Sequence, residues 1–169
     1  EVTCMDVAMP MVIARASDFG LLGNETQDEL DNNNTFFERM EKVRLAAAKK
    51  MGMGDCTASV TPKFGIVAPN DQINHLTVRY FMPWRTHPTL AVTGSQCVAS
   101  CALTPDTVAY PLVTKSDSIP AHLVLHHPMG TMDVITDYSL SDGMFVHKSA
   151  GIIRTARKLA EGKVFISSS

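Results

Sequence analysis

A chain of 169 residues with 45% apolar side chains is long enough to bury one real core and would be crowded as two, so a single domain over residues 1–169 is expected. A net charge of -2 with 19% charged residues excludes a globally basic nucleic-acid binder, and no apolar run approaches the roughly 20 residues of a membrane span. The expectation is a cytoplasmic protein with no nucleic-acid or membrane partner, in which any anion site is local.

In chain order, residues 2–7 and 10–16 are apolar and β-branched enough for two short strands, with Pro10 opening the second, where its missing N–H does little harm. Residues 17–24, with Gly20 and Gly23, read as a loop. The spacing of Phe36, Phe37, Met40, Val43, Leu45, Ala46, Ala47 and Met51 predicts an amphipathic helix capped by Asn34 or Thr35 and ended by Gly52 and Gly54. Glu38, Arg39, Glu41, Lys42, Lys49 and Lys50 take its wet side. Strands are expected at 62–68 and 75–82, joined by the turn Pro69-Asn-Asp-Gln.

Residues 88–103 are small and apolar and carry no charge, which predicts a helix buried all round, entered near Pro88 and ended by Pro105 and a turn at Asp106. Four β-rich runs follow at 121–127, 131–138, 144–154 and 163–166, with turns at His127-Pro-Met-Gly and Ser139-Leu-Ser-Asp-Gly and a connection of about one helical turn at 156–161. The economical packing is α+β: a curved, mainly antiparallel sheet of roughly seven or eight strands rolled around the central helix, with the amphipathic helix outside.

Arg79, Arg85 and His87 precede the buried helix, whose entrance is its positive pole, and that combination suits a carboxylate or phosphate. The alternative is that both arginines pair with structural carboxylates and His87 caps or packs. Gly94 would cost about 1 kcal/mol relative to alanine in a helix interior. Either another backbone approaches there, or the helix starts near Thr93, which then caps it and turns the amides of Gly94, Ser95 and Gln96 toward a cleft.

Cys97 and Cys101 lie one helical turn apart and read as packed thiols, and Cys4 and Cys56 add no close pair, which fits a reducing compartment. His126 and His127 point to opposite faces of a strand and do not easily share an ion, so no metal is expected. Arg154, Arg157 and Lys158 read as surface charge in salt bridges, with substrate contact the alternative, and the triplets Asn24-Glu-Thr and Asn33-Asn-Thr as chance glycosylation matches. Nothing matches GxGxxG, a phosphate loop, GxSxG or HExxH, so nucleotide use and serine-hydrolase chemistry have no support. The chain starts at Glu1, already strand-like and without an initiator methionine, and is expected to be a fragment or a processed piece.

Asp6-Val-Ala-Met-Pro10, Ala14-Arg-Ala-Ser-Asp-Phe-Gly-Leu-Leu-Gly-Asn-Glu25, Val43-Arg-Leu-Ala-Ala-Ala, Met53-Gly-Asp55, residues 79–94, His127-Pro-Met-Gly130 and Arg154-Thr-Ala-Arg-Lys-Leu-Ala-Glu-Gly-Lys-Val-Phe165 follow one another in order. Together they resemble the C-terminal half of the 2-methylaconitate isomerase and 4-oxalomesaconate tautomerase family, which includes related aconitate isomerases. The resemblance implies one domain of a diaminopimelate-epimerase-like pair, with the active site between the two. It implies cofactor-free proton transfer, by a 1,3-shift or a cis-trans change, on an unsaturated di- or tricarboxylate such as aconitate, 2-methylaconitate or 4-oxalomesaconate.

In that reading Arg79, Arg85, His87, Thr93, Gly94, Ser95, His127, Met129 and Gly130 bind the substrate. The general base belongs to the N-terminal half of the same polypeptide or to another copy. This sequence differs from the usual family pattern at Ala8, where glycine is common, and at Met129, where a hydroxyl residue is common. The rival expectations are a non-catalytic binding or assembly domain of the same fold, and a racemase or epimerase that would use Cys97.

Overall fold

The computed structural model describes residues 1–141 and 144–166. The apolar runs form strands β1 (Val2–Asp6), β2 (Pro10–Arg15), β3 (Lys63–Pro69), β4 (His75–Phe81), β5 (Ala121–His127), β6 (Gly130–Ser141) and β7 (Met144–Ile152). They make one sheet in chain order, parallel between β2 and β3 and between β4 and β5, antiparallel elsewhere. Among the described residues three α-helices accompany it: α1 (Gln27–Asp31), α2 (Asn34–Lys50) and α3 (Val92–Leu103). None is long and apolar enough to cross a membrane.

The period-2 pattern of the strands builds two cores. Met11, Ile13, Val78, Tyr80, Leu123, Leu125 and Val134 face α3, which is buried over most of its surface. Val12, Ala14, Phe64, Ile66 and Phe81 face the other way, against Leu30 of α1 and Phe36, Met40 and Ala47 of α2. Because α3 packs against both edge strands, β1 and β7, the sheet has to curl around it. The fold is therefore α+β, a mainly antiparallel sheet rolled around a central helix with α2 outside.

Several boundaries differ from expectation for identifiable reasons. Helix α3 starts at Val92 rather than near Pro88, because the chain is still extended at His87, whose N–H donates to the Tyr80 carbonyl at 2.8 Å. Proline also disfavours the helical conformation in the residue before it. The N-cap of α3 is Ala91, with no side-chain cap, so Thr93 lies inside the helix. Helix α2 is capped by Asn33, whose side chain accepts from the Phe36 N–H at 3.0 Å, one position earlier than expected. Helix α1 was not anticipated; its signal is the capping box of Thr26 and Glu29.

The strand expected at 163–166 does not form. Val164, Phe165 and Ile166 are 89%, 92% and 89% exposed, and among the described residues no strand pairs with them. The one-turn helix at 156–161 is also absent, and the turn expected at 139–143 lies partly outside the described residues. In the β1–β2 turn Ala8 has φ 61, the left-handed conformation that costs a non-glycine residue roughly 1 kcal/mol or more. This is the position where the family resemblance leads one to expect glycine.

Arg44 of α2 is fully buried and holds a loop in place. Its Nε and Nη2 donate to the Glu41 carboxylate at 2.6 Å each, and its remaining donors reach the carbonyls of Cys56, Ser59 and Pro62 at 3.0, 3.2 and 3.3 Å. Arg44→Ala strands these acceptors and should destabilise the fold by about 3–5 kcal/mol. Equilibrium urea unfolding checks this, and a loss well under 1 kcal/mol would contradict the staple.

Candidate functional site

Strand direction brings the chemistry-bearing segments to one end of the rolled sheet. The pairs Asp6 with Pro10, Met11 with Lys63, Phe64 with Phe81, and His127 with Gly130 all lie there. That end therefore carries the β1–β2 turn, the segment after β4, the β5–β6 turn and the exit from β7. Helix α3 begins there too, with Gly94 packed on Tyr80 and the Cys97 thiol donating to the Met5 carbonyl at 3.6 Å. The ends of four strands thus surround one helix N-terminus, whose first amides lack an intrahelical partner.

A notch opens between β4 and β5. They pair only where His75, Leu76 and Thr77 meet Val124, Leu125 and His126. Farther along, Thr86 and His87 fold back beside β4, with Phe81 bridged to Thr86. Between these two stretches the Val78 carbonyl accepts from Arg79 Nη1 at 2.9 Å instead of from a neighbouring strand. Arg79 Nε donates to the Glu25 carbonyl at 2.6 Å, so this arginine also ties the loop before α1 to the notch. Burial holds its guanidinium below the ordinary value, and the Glu25 charge opposes that.

His87 and His127 flank the notch as N–H donors. Nδ1 of His87 accepts from the Thr89 amide at 3.0 Å, and Nδ1 of His127 accepts from the Met129 amide at 3.2 Å. A backbone amide only donates, so each neutral ring carries its proton on Nε2. Burial lowers the His127 pKa most; the positive charges of Arg79, His87 and Arg154 push the same way, against a backbone interaction at Thr131.

The helix entrance divides the remaining candidates. A Cβ on Gly94 would lie 2.3 Å from Tyr80 Cε2, so what approaches this glycine is an aromatic ring rather than another backbone. Ser95 turns inward: its amide donates to the Ala91 carbonyl and its hydroxyl to the Val92 carbonyl at 2.7 Å. Thr93 is half-buried, Arg85 and Met129 are exposed, and Gly130 closes the β5–β6 turn with φ 137.

Tyr80 is a member that sequence patterns did not single out, and Arg154 is one that they read chiefly as surface charge. The Tyr80 hydroxyl is buried without a partner among the described residues, and burial, helped by Cys97, pushes its pKa up to about 12. The Cys97 thiol is likewise pushed up to about 12 by burial, and Cys101 is raised for the same reason. Both are packed thiols in their neutral form.

Residues 1–167 match the family model described as PrpF protein. The chain belongs to the PrpF family. It is 35% identical over 165 residues to a protein of Novosphingobium sp. (strain KA1) named (4E)-oxalomesaconate Delta-isomerase, covering 98% of this chain and 45% of that protein. It is 33% identical over 166 residues to the 4-oxalomesaconate tautomerase of Pseudomonas putida, covering 98% of this chain and 45% of that one. The crystal structure of a methylitaconate-delta-isomerase shares its fold with a TM-score of 0.75 at 23% identity, over 90% of this chain and 45% of that chain. The chain thus spans a little under half the length of the relatives it matches.

Two cavities of about 190 and 320 Å³ lie elsewhere in this PrpF chain, one lined by Arg15, Leu21, Val67 and Leu112, the other by Leu45, Lys49, Asp55 and Cys56. Neither touches the notch. Gly94→Ala forces its new methyl into the Tyr80 ring and should cost about 1–3 kcal/mol. Tyr80→Leu in the same chain should recover part of that loss, as read by a double-mutant cycle of thermal unfolding. Strictly additive losses would contradict the contact.

Proposed function

We propose that this chain is the carboxylate-binding half of an isomerase or tautomerase that moves a proton on an unsaturated di- or tricarboxylate such as aconitate, 2-methylaconitate or 4-oxalomesaconate. The observation that carries the reading is that the charges of Arg79, His87 and Arg154 all act on His127, at the end of the sheet where α3 begins, with none of the four in an ion pair among the described residues. The names of the PrpF relatives support the reaction class.

Shifting a double bond beside a carboxylate, or changing its geometry, needs two things. A base removes a carbon-bound proton, and donors take up the charge that spreads onto the carboxylate. This half supplies donors: the N–H groups of His87 and His127, the free end of Arg79 and the first amides of α3. Among the described residues it offers no fitting base. Both histidines have Nδ1 occupied by an amide hydrogen bond, and the Cys97 thiol is buried and neutral.

In this reading the base belongs to the other half of a diaminopimelate-epimerase-like pair, in the same polypeptide or in another copy, and residues 1–169 form one of its two domains. The chemistry is proton transfer between side chains and substrate, which calls for no cofactor.

The test is isomerisation of cis-aconitate, trans-aconitate and 4-oxalomesaconate in deuterated water by the polypeptide carrying both halves. The expected result is turnover with deuterium incorporated at the allylic carbon. Cys97→Ser should keep kcat/KM within about threefold. Failure to convert or exchange any of the acids would favour the binding or assembly module instead. Collapse of turnover in a normally folded Cys97→Ser protein would favour a racemase or epimerase.

A further inference from the structure

Sequence pattern groups Arg154 with Arg157 and Lys158 as surface charge, but the structure separates them. Lys158 pairs with Glu161, as an exposed lysine is expected to. Arg154 makes no ion pair among the described residues, and the sheet ladder explains where it goes instead.

Strand β7 pairs with β6 as far as Ile152, opposite Val134, and the Ile153 amide still donates to the Asp133 carbonyl at 3.0 Å. Continued one residue further, that register sets Arg154, which lies just past β7 and is exposed, beside Met132, close to where β6 begins. Ile152 packs on the core around α3, and a residue two places on falls on the same side of an extended chain. Met132, its neighbour on β6, is buried in that same core.

Arg154 thus reaches the open end from the β7 side, while Arg79 and His87 reach it from the β4 side and His127 lies between them. Neighbouring strands are about 4.8 Å apart, so β7 stands about 10 Å from β5, within range of an arginine side chain. The charge of Arg154 is one of the three that act on the His127 ring. Cations thus stand on both sides of one donor, and neither Asp6, exposed at the end of β1, nor Glu25, whose charge acts on Arg79, is in an ion pair with any of them among the described residues.

We propose that Arg154 is a substrate-binding and specificity-determining residue: its guanidinium holds a second carboxylate of the acid, while the His87 side of the notch and the start of α3 hold the first. This rests on the reading of the open end as a carboxylate wall. Arg154 then selects di- and tricarboxylates over monocarboxylates. Arg157 and Lys158, farther along an exposed tail, take no part.

The test uses the polypeptide carrying both halves and three forms of it: unaltered, Arg154→Gln and Arg154→Lys. Tricarballylate, a saturated tricarboxylate, and crotonate, an unsaturated monocarboxylate, serve as probes in calorimetry. Arg154→Gln should weaken tricarballylate binding about tenfold to a hundredfold and leave crotonate unchanged, since one charge-assisted contact is lost. Arg154→Lys should recover part of that loss.

In the ligand-free protein the His127 ring, followed by NMR, should titrate at higher pH in Arg154→Gln, because a positive neighbour is gone. A purely structural role would weaken both acids together and leave that titration in place. Full-strength tricarballylate binding by Arg154→Gln, with His127 unmoved, would overturn the inference and leave the carboxylate wall standing. Absence of tricarballylate binding by the unaltered protein would overturn both.

Discussion

Helix α3 carries no charged side chain, so it is stable only where water is kept from nearly its whole surface. That requirement shapes the rest of the molecule. The sheet curls until β1 and β7 both reach the helix, and the inward faces of the strands become one core. The helix ends cannot be enclosed in the same way, because their backbone groups need partners. At the N-terminal end the amides of Val92, Thr93 and Gly94 have no hydrogen-bond partner among the described residues.

What surrounds the opening follows from strand order. The turn after β1, the segment after β4, the turn after β5 and the exit from β7 are brought together by the antiparallel and parallel pairings. The β4–β5 seam is the weak line in the arrangement, since the two strands pair over a short stretch only. His75 Nδ1 and His126 Nε2, 2.7 Å apart, join the strands on the outer side of this seam, and burial together with His75 lowers the His126 pKa. His127, on the opposite face, is left for the inner side. The seam separates Arg79 from His127 and makes the notch between them.

Much of this was legible in the sequence, for physical reasons. Runs such as Met11 to Ala14 and Leu123 to Leu125 can satisfy their apolar side chains only as buried strands, and an uncharged stretch ending at Leu103 has to be interior. The start of α3 was less legible, because it depends on Thr86 and His87 pairing with a strand that local pattern does not reveal. Val164, Phe165 and Ile166 have strand propensity, but propensity without a neighbouring edge makes no strand. Arg44 has no role that its own helix reveals, because its buried contacts need carbonyls from a loop many residues away.

Of the residues that the family resemblance singled out, His87 and His127 lie at the end of the sheet where α3 begins and Gly94 lies in its first turn, whereas Ser95 spends both polar groups within its own helix. Arg154 needed the β6–β7 register to be placed at all.

The account depends on the open end being where an acid binds. A crystal structure of the polypeptide carrying both halves, grown with tricarballylate, tests that directly. One carboxylate should lie against the amides of Val92, Thr93 and Gly94 and within reach of a histidine Nε2 at the notch. An acid held in either of the two distant cavities, with the start of α3 left empty, would contradict the account.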